Sequence, residues 1–150
     1  MRTIQAVKEV SFKDAYIRYW VRWGDYHGRS SRQEYWKWFL DSAVISIVLS
    51  MIMTSIGVAW LFALFSLANL VPGTTLVIRR LHDTGHTGKW MIPLVVFDVL
   101  LLVLAFGDAT TSLLWLTLIM LLVSFIDGIV VFVFILQHSK PDNAWGPEPR

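Results

Sequence analysis

Long apolar runs alternate with short polar segments through most of the chain. The first run, residues 42–78, contains no charged residue. One membrane-spanning helix needs about 20 residues, so this run predicts two spans. The turn between them is expected at residues 54–57, where small polar residues and a glycine interrupt the apolar pattern, and a second turn is expected at residues 107–110. The predicted spans are residues 35–54, 58–78, 90–106 and 112–137, followed by a tail at residues 138–150.

The composition agrees with a membrane protein. Hydrophobic residues make up 55% of the 150 residues and charged residues only 16%, whereas soluble domains carry about 25% charged residues. Four apolar runs in so short a chain leave almost no polar surface with which a soluble fold could cover them. We therefore predict one all-α domain, a four-helix transmembrane bundle preceded by an amphipathic interfacial helix. The absence of cysteine excludes disulfides and thiolate metal sites.

The distribution of cations predicts the orientation of the bundle. Most of the 13 Lys and Arg residues precede the first span, and the others lie between the second and third spans or after the fourth. The two turns on the opposite side contain none. By the positive-inside rule the charged side is cytoplasmic, so both termini are expected there.

The segment before the first span has the pattern of an interfacial helix, predicted at residues 12–27. Its aromatic residues recur at helical spacing while lysine and arginine occupy other faces. Such a helix suits an anionic lipid surface. Nucleic-acid binding, the competing interpretation of a basic and aromatic segment, is disfavoured because the aromatic residues lie on one stripe beside a membrane span.

Two polar motifs lie on the predicted cytoplasmic side. GRSSRQEYW, residues 28–36, contains Ser31 and Glu34 at the spacing of a capping box, which predicts a helix start. RRLHDTGHTGKW, residues 79–90, holds the densest polar chemistry of the chain, and we expect Arg79 and Arg80 to end the second span.

The second motif has three possible roles. A metal site would use His82 and His86, which share a face only if the stretch is helical, and Gly85 argues against that. An anion site would use Arg79 and Arg80, because arginine binds phosphate through two parallel donors. A structural role remains as well.

In the structural role, Asp83 pairs with Arg79 or Arg80 and with Arg29 or Arg32 of the first motif. His82 donates a hydrogen bond to a backbone carbonyl. The two motifs would then pin the hairpin of the second and third spans to the amino-terminal segment.

Three acids lie inside the predicted spans: Asp41, Asp98 and Asp127. Because a charge at mid-membrane costs at least about 2.5 kcal/mol, they are expected to face the interior of the bundle. Asp98 and Asp127 fall at similar depth in neighbouring spans. They predict either a hydrogen bond shared between helices or a path for protons or cations.

The two motifs, with NAWGPEP at residues 143–149, resemble the signature of the bacterial inner-membrane family of domain of unknown function 805. The resemblance covers about residues 12–149 and implies a small multi-pass inner-membrane protein without an assigned activity. His86 and Lys89 depart from the pattern of the family, so a function that depended on His86 would not be a family function.

Together these features predict a non-enzymatic inner-membrane protein without a cofactor or a resident metal. A charged cluster on the cytoplasmic face is expected to bind anionic lipid, a protein partner or a second copy of the chain. The alternative is a small channel or transporter that uses Asp98 and Asp127. The residues predicted for the cluster are Arg29, Arg32, Glu34, Arg79, Arg80, His82 and Asp83.

Overall fold

The computed structural model describes residues 10–58, 60–106 and 111–149, and this part of the chain is helical without any strand. The all-α prediction is therefore confirmed. A short 3-10 helix, Gly88–Met91, leads directly into the fourth α-helix. The helices are α1 (Phe12–Val21), α2 (Arg32–Ser55), α3 (Trp60–Asp83), α4 (Ile92–Phe106) and α5 (Thr111–Leu136).

Three of these helices are long and apolar enough to cross a membrane: α2, α3 and the Trp115–Leu136 portion of α5. The third predicted span, residues 90–106, corresponds to α4, which has 15 residues. The predicted turn at residues 107–110 lies outside the described residues, as do Arg2, Lys8 and Arg150 among the cations used for orientation.

Two predicted boundaries are wrong. α3 continues past residue 78 to Asp83, so Arg79 and Arg80 lie inside the helix and do not end it. The sequence argument ended the span at the first charges, but these side chains are paired in the structure and the helix continues through them. α1 ends at Val21, well short of residue 27. Gly85 lies in a turn directly after α3, with a φ of 81° that glycine tolerates, so the stretch from His82 to His86 is not continuously helical, as the sequence indicated.

The buried core lies at one end of the bundle. It gathers side chains from the end of α1, the beginning of α2, the last turns of α3 and α5, and the 3-10 helix. Away from that end the large apolar side chains of α2 and α5 point outward; Met51 and Phe125, for example, are each 66% exposed. The outward face is that of a protein surrounded by lipid. The core residues are Tyr19, Tyr35, Leu76, Leu81, Met91, Val131 and Ile135.

α1 crosses α2 and does not run along it. Near its start, the Lys37 ammonium donates a hydrogen bond to the Val10 carbonyl. Near its end, Tyr19 stacks on Trp38 with ring centroids 4.7 Å apart, so both ends of α1 meet α2 at the same level. The Tyr19 hydroxyl also donates to the Asn69 side-chain oxygen of α3 at 2.9 Å. α1 is thereby fixed against both helices.

Candidate functional site

Asp83 connects three segments of the chain at the charged end of the bundle. Its Oδ1 accepts from the Arg29 Nε and Nη2, at 3.1 and 2.8 Å, and its Oδ2 accepts from the Arg80 guanidinium and the Ser139 hydroxyl. Both carboxylate oxygens of Asp83 are buried. We call Arg29, Arg80, Asp83 and Ser139 the Asp83 network. It joins the linker between α1 and α2, the end of α3 and the segment after α5.

Both arginines of the network also bind backbone carbonyls. Arg80 donates to the Ile135 carbonyl from Nε and Nη2, at 3.1 and 2.9 Å, and to the Gln137 carbonyl. These carbonyls belong to the last turn of α5 or follow it, where a helix leaves its carbonyls without internal partners. Arg29 donates to the Gly146 carbonyl at 2.8 Å. The guanidinium groups thus hold the end of α5 and the tail beside α3.

A second group of charges surrounds Glu34, which is 3% exposed. Its Oε1 accepts from the Ser30 hydroxyl at 3.2 Å, and the Arg79 Nη2 lies 3.9 Å from the same oxygen. Arg18 and Arg22 lie 3.8 and 4.0 Å from the carboxylate. We call Arg18, Arg22, Ser30, Glu34 and Arg79 the Glu34 network. Glu34 faces three cations, but Arg22 also pairs with Asp25, so the three arginines exceed the two carboxylates by one charge.

The predicted helix start at Ser31 is present: Ser31 is the N-cap of α2, and its hydroxyl accepts from the Glu34 N–H at 3.2 Å. The Glu34 carboxylate accepts from Ser30 and neighbours Arg79, so its acidic group serves the Glu34 network. The capping box therefore located the helix correctly but did not reveal the role of the acid.

Arg79 is fully buried between α1, α2 and α3. Its Nε donates to the Ser30 hydroxyl at 2.9 Å, and its Nη1 donates to the Arg22 carbonyl at 2.6 Å. Its Nη2 has no hydrogen-bond acceptor among the described residues. Arg79 therefore belongs with Glu34 and not with Asp83, whose helical partner is Arg80.

His82 binds the amino-terminal linker and the tail at once. Its Nδ1 lies 3.3 Å from the Gly28 carbonyl, and its ring stacks on Trp145 with centroids 4.6 Å apart. The His82 carbonyl accepts from the Asn143 amide at 3.0 Å, and the Asn143 side-chain oxygen accepts from the Trp145 N–H. The tail motif thus folds over the end of α3. Its sequence was noted, but no spacing rule placed it at the site.

His86 lies beyond the helix and has other partners. Its ring stacks on Phe134 of α5 with centroids 3.7 Å apart, and its Nδ1 lies 3.1 Å from the Thr84 hydroxyl. Burial, together with the nearby Lys140 ammonium, lowers the pKa of His86 below its ordinary value. His82 and His86 therefore do not converge. In the part of the chain that the structure describes, no group of three His, Asp or Glu residues could hold a metal ion.

The linker between α1 and α2 is held in shape by Asp25. Its carboxylate accepts from the Arg22 guanidinium at 2.6 Å and from the Gly28 N–H at 3.0 Å. Burial raises the pKa of Asp25, but these donors outweigh it and hold the pKa below the ordinary value. Arg32, which was predicted for the charged cluster, is exposed and makes no hydrogen bond or ion pair with any described residue.

The three acids of the predicted spans lie in different surroundings. Asp127 is 8% exposed, and its Oδ2 has no partner within the described residues. Asp98 lines a partly open cavity between α2, α3 and α4 but is exposed, so the expectation that it faces the interior of the bundle is not met, and Asp41 is partly buried. No hydrogen bond joins Asp98 to Asp127 in the described part of the chain, so the shared hydrogen bond expected from their similar depth is not formed.

Comparison with known proteins assigns the chain to a family. The profile of the family described as "Protein of unknown function (DUF805)" matches residues 23–147. The chain belongs to the DUF805 family. Both charged motifs, most of the tail and the whole Asp83 network lie within the matched range, whereas Arg18 and Arg22 of the Glu34 network precede it. No solved structure matches the chain.

Two curated relatives of this DUF805 protein come from Escherichia coli strain K12. "Inner membrane protein YhaI" is 35% identical over 82 residues, which cover 51% of this chain and 70% of the relative. "Inner membrane protein YhaH" is 23% identical over 146 residues, which cover 91% of this chain and 97% of the relative. The relatives are named inner-membrane proteins, in agreement with the three apolar helices seen here.

Proposed function

We propose that this protein is a four-span protein of the bacterial inner membrane whose cytoplasmic face binds anionic lipid headgroups without catalysing a reaction. The Asp83 and Glu34 networks give that face a fixed shape. α1 lies on it as an interfacial helix. The observation that carries the proposal is the position of α1, which crosses α2 with aromatic side chains exposed along one side and arginines beside them.

The networks support four spans. α2 begins, and α3 and α5 end, at the Asp83 and Glu34 networks. Since α3 and α5 both return to this end, the segment between them has to carry the chain across to the other side. The 3-10 helix and α4 together measure roughly 30 Å, about the thickness of the hydrocarbon core. The length of α4 alone underestimates the segment that could cross the membrane, because the 3-10 helix directly precedes α4 and extends it.

The charges support a cytoplasmic location for the networks. Every Lys and Arg of the sequence lies before α2, in the first two turns of α2, at the end of α3, between α3 and α4, or after α5. Arg29, Arg79 and Arg80 are now accounted for by buried pairing, but exposed cations such as Lys13, Arg32 and Lys89 remain on the same side. The positive-inside rule places that side in the cytoplasm.

The lipid-binding surface is the exposed rim, which includes the exposed side chain of Arg18 at the edge of the Glu34 network, and not the buried groups of the two networks. The guanidinium groups of Arg29 and Arg80 already donate hydrogen bonds to acceptors of the protein itself. The Arg18 side chain, in contrast, is 46% exposed, and Arg32 is exposed. Beside them, α1 presents Trp20 and other aromatic side chains to the outside. Aromatic residues favour the membrane interface, and each cation near an anionic leaflet contributes about 1 kcal/mol.

The test compares lipids that stay with the purified protein. The double variant Arg18→Gln, Arg32→Gln is compared with wild type and with the charge-retaining control Arg18→Lys, Arg32→Lys. Mass spectrometry after extraction in mild detergent gives the ratio of phosphatidylglycerol and cardiolipin to phosphatidylethanolamine. We expect the ratio to fall about fivefold or more in the glutamine variant and to stay near wild type in the lysine control. An unchanged ratio in the glutamine variant refutes the proposal.

A further inference from the structure

A cavity of about 590 Å³ lies between α2, α3 and α4. One wall is formed by the aromatic side chains Tyr35, Trp38 and Phe39 of α2, and the cavity is partly open to the outside. α3 lines it from Ala63 to Val77, a length of about 21 Å. Because α2 and α3 are both able to cross the membrane, the cavity lies at the depth of the lipid chains.

Most polar side chains of the cavity are already satisfied by α3. The hydroxyls of Ser66 and Thr74 donate to carbonyls one turn back, at 3.0 and 2.7 Å, and the Asn69 amide does the same at 2.8 Å. Because these donors are already used within α3, they are less available to bind a ligand. Asp98 of α4 differs, because its carboxyl makes no hydrogen bond or ion pair with any described residue.

Trp38 contributes its ring to the wall of the cavity, whereas its indole N–H is shielded and is not available to a ligand there. The cavity therefore combines an apolar body, an aromatic wall and one carboxyl group without a counter-ion. A carboxylate beside lipid chains is energetically costly, and a cationic ligand would offset that cost. Aromatic rings attract cations as well.

We propose that this cavity is a binding site for a lipophilic amine, whose ammonium group pairs with Asp98 while its apolar chain lies along α3. An alcohol of the same chain length lacks the positive charge and should bind more weakly. A fatty acid would be repelled, because its carboxylate has the same charge as Asp98. The site differs from the proposed lipid-binding rim in place and in the sign of the ligand charge. Failure of one proposal therefore leaves the other testable.

The experiment uses the full chain in nanodiscs of neutral lipid. The probes are an alkylamine with a photoreactive diazirine in its chain and the alcohol of the same length, and mass spectrometry locates the labelled residues. We expect the amine to label cavity residues such as Leu67 and Leu70 about tenfold more than the alcohol, which corresponds to roughly 1.4 kcal/mol. Asp98→Asn removes the preference, whereas Asp98→Glu and the control Asp41→Asn retain it.

Equal labelling by the amine and the alcohol in wild type overturns the proposal and indicates an unselective lipid crevice. A preference that persists in Asp98→Asn overturns the role of the carboxyl. The comparison of the two probes on the wild-type protein does not depend on the folding of any variant. Labelling confined to residues outside the cavity also contradicts the proposal.

Discussion

At the scale of single residues, Asp83 is the position at which the buried polar contacts converge. Its side chain accepts from Arg29, Arg80 and Ser139, and its backbone carbonyl accepts from the Lys140 N–H at 2.9 Å. Both guanidinium groups are desolvated. A buried ion pair is costly to break from one side, since the remaining charge stays buried without compensation.

Replacing Asp83 with asparagine tests this position. We expect the free energy of unfolding in detergent to fall by about 3 to 5 kcal/mol, because two buried arginines lose their anion while the side-chain shape is kept. The control is Asp142→Asn, an exposed position on the tail that should change stability by less than about 0.5 kcal/mol. A loss below about 1 kcal/mol in Asp83→Asn would show that the Asp83 network does not stabilise the fold.

His86 makes stability depend on pH. Because burial lowers its pKa in the folded state, the unfolded chain binds the proton more readily. Stability is therefore highest above the unfolded pKa of about 6.5 and decreases as the pH falls through that value toward the lower folded pKa. Thermal unfolding at pH 7.5 and pH 5.5 should show a larger decrease for wild type than for His86→Asn. Equal decreases would contradict the argument.

At the scale of elements, the sequence predicted which segments are helices better than where they end. The apolar runs located α2, α3 and α5, and the capping residue Ser31 located the start of α2 to within a residue. The predicted end of α3 was too early, because consecutive charged residues usually indicate that a helix has reached the solvent-exposed side of the membrane. Only their partners, in segments distant along the chain, make Arg79 and Asp83 compatible with a buried helix.

The tail is the element whose position could not be predicted. Trp145 reaches the site through one ring contact with His82 and through the turn closed by Asn143. Contacts of this kind have no periodic pattern in the sequence. The tail nevertheless supplies carbonyl acceptors to Arg29, so the site is incomplete without it.

Substitution of Trp145 by alanine should loosen the tail. Aromatic stacking contributes about 0.5 to 1.5 kcal/mol, so we expect hydrogen exchange at the Lys140 and Gly146 amides to become roughly two- to tenfold faster. Glu148→Ala, at an exposed tail position, is the matched control. If exchange at these amides were unchanged in Trp145→Ala, the stacking on His82 would not hold the tail in place.

At the scale of the whole molecule, the charged networks and the membrane topology depend on each other. The linker before α2, the end of α3 and the segment after α5 can meet only if they lie on one side of the membrane. With α2, α3 and α5 as spans, this condition requires α4 to cross as well. Three spans would place the tail opposite Asp83 and separate Arg29 from the Gly146 carbonyl.

Single-cysteine labelling tests this arrangement most directly, because the chain contains no cysteine of its own. Cysteines replace Ile56 and Thr110 on one side and Thr87 and Asp142 on the other, and intact spheroplasts are treated with a membrane-impermeant maleimide. We expect Ile56→Cys and Thr110→Cys to react before lysis, and Thr87→Cys and Asp142→Cys to react only after it. Reaction of Asp142→Cys in intact spheroplasts, with Thr87→Cys protected, would contradict the four-span bundle and the Asp83 network together.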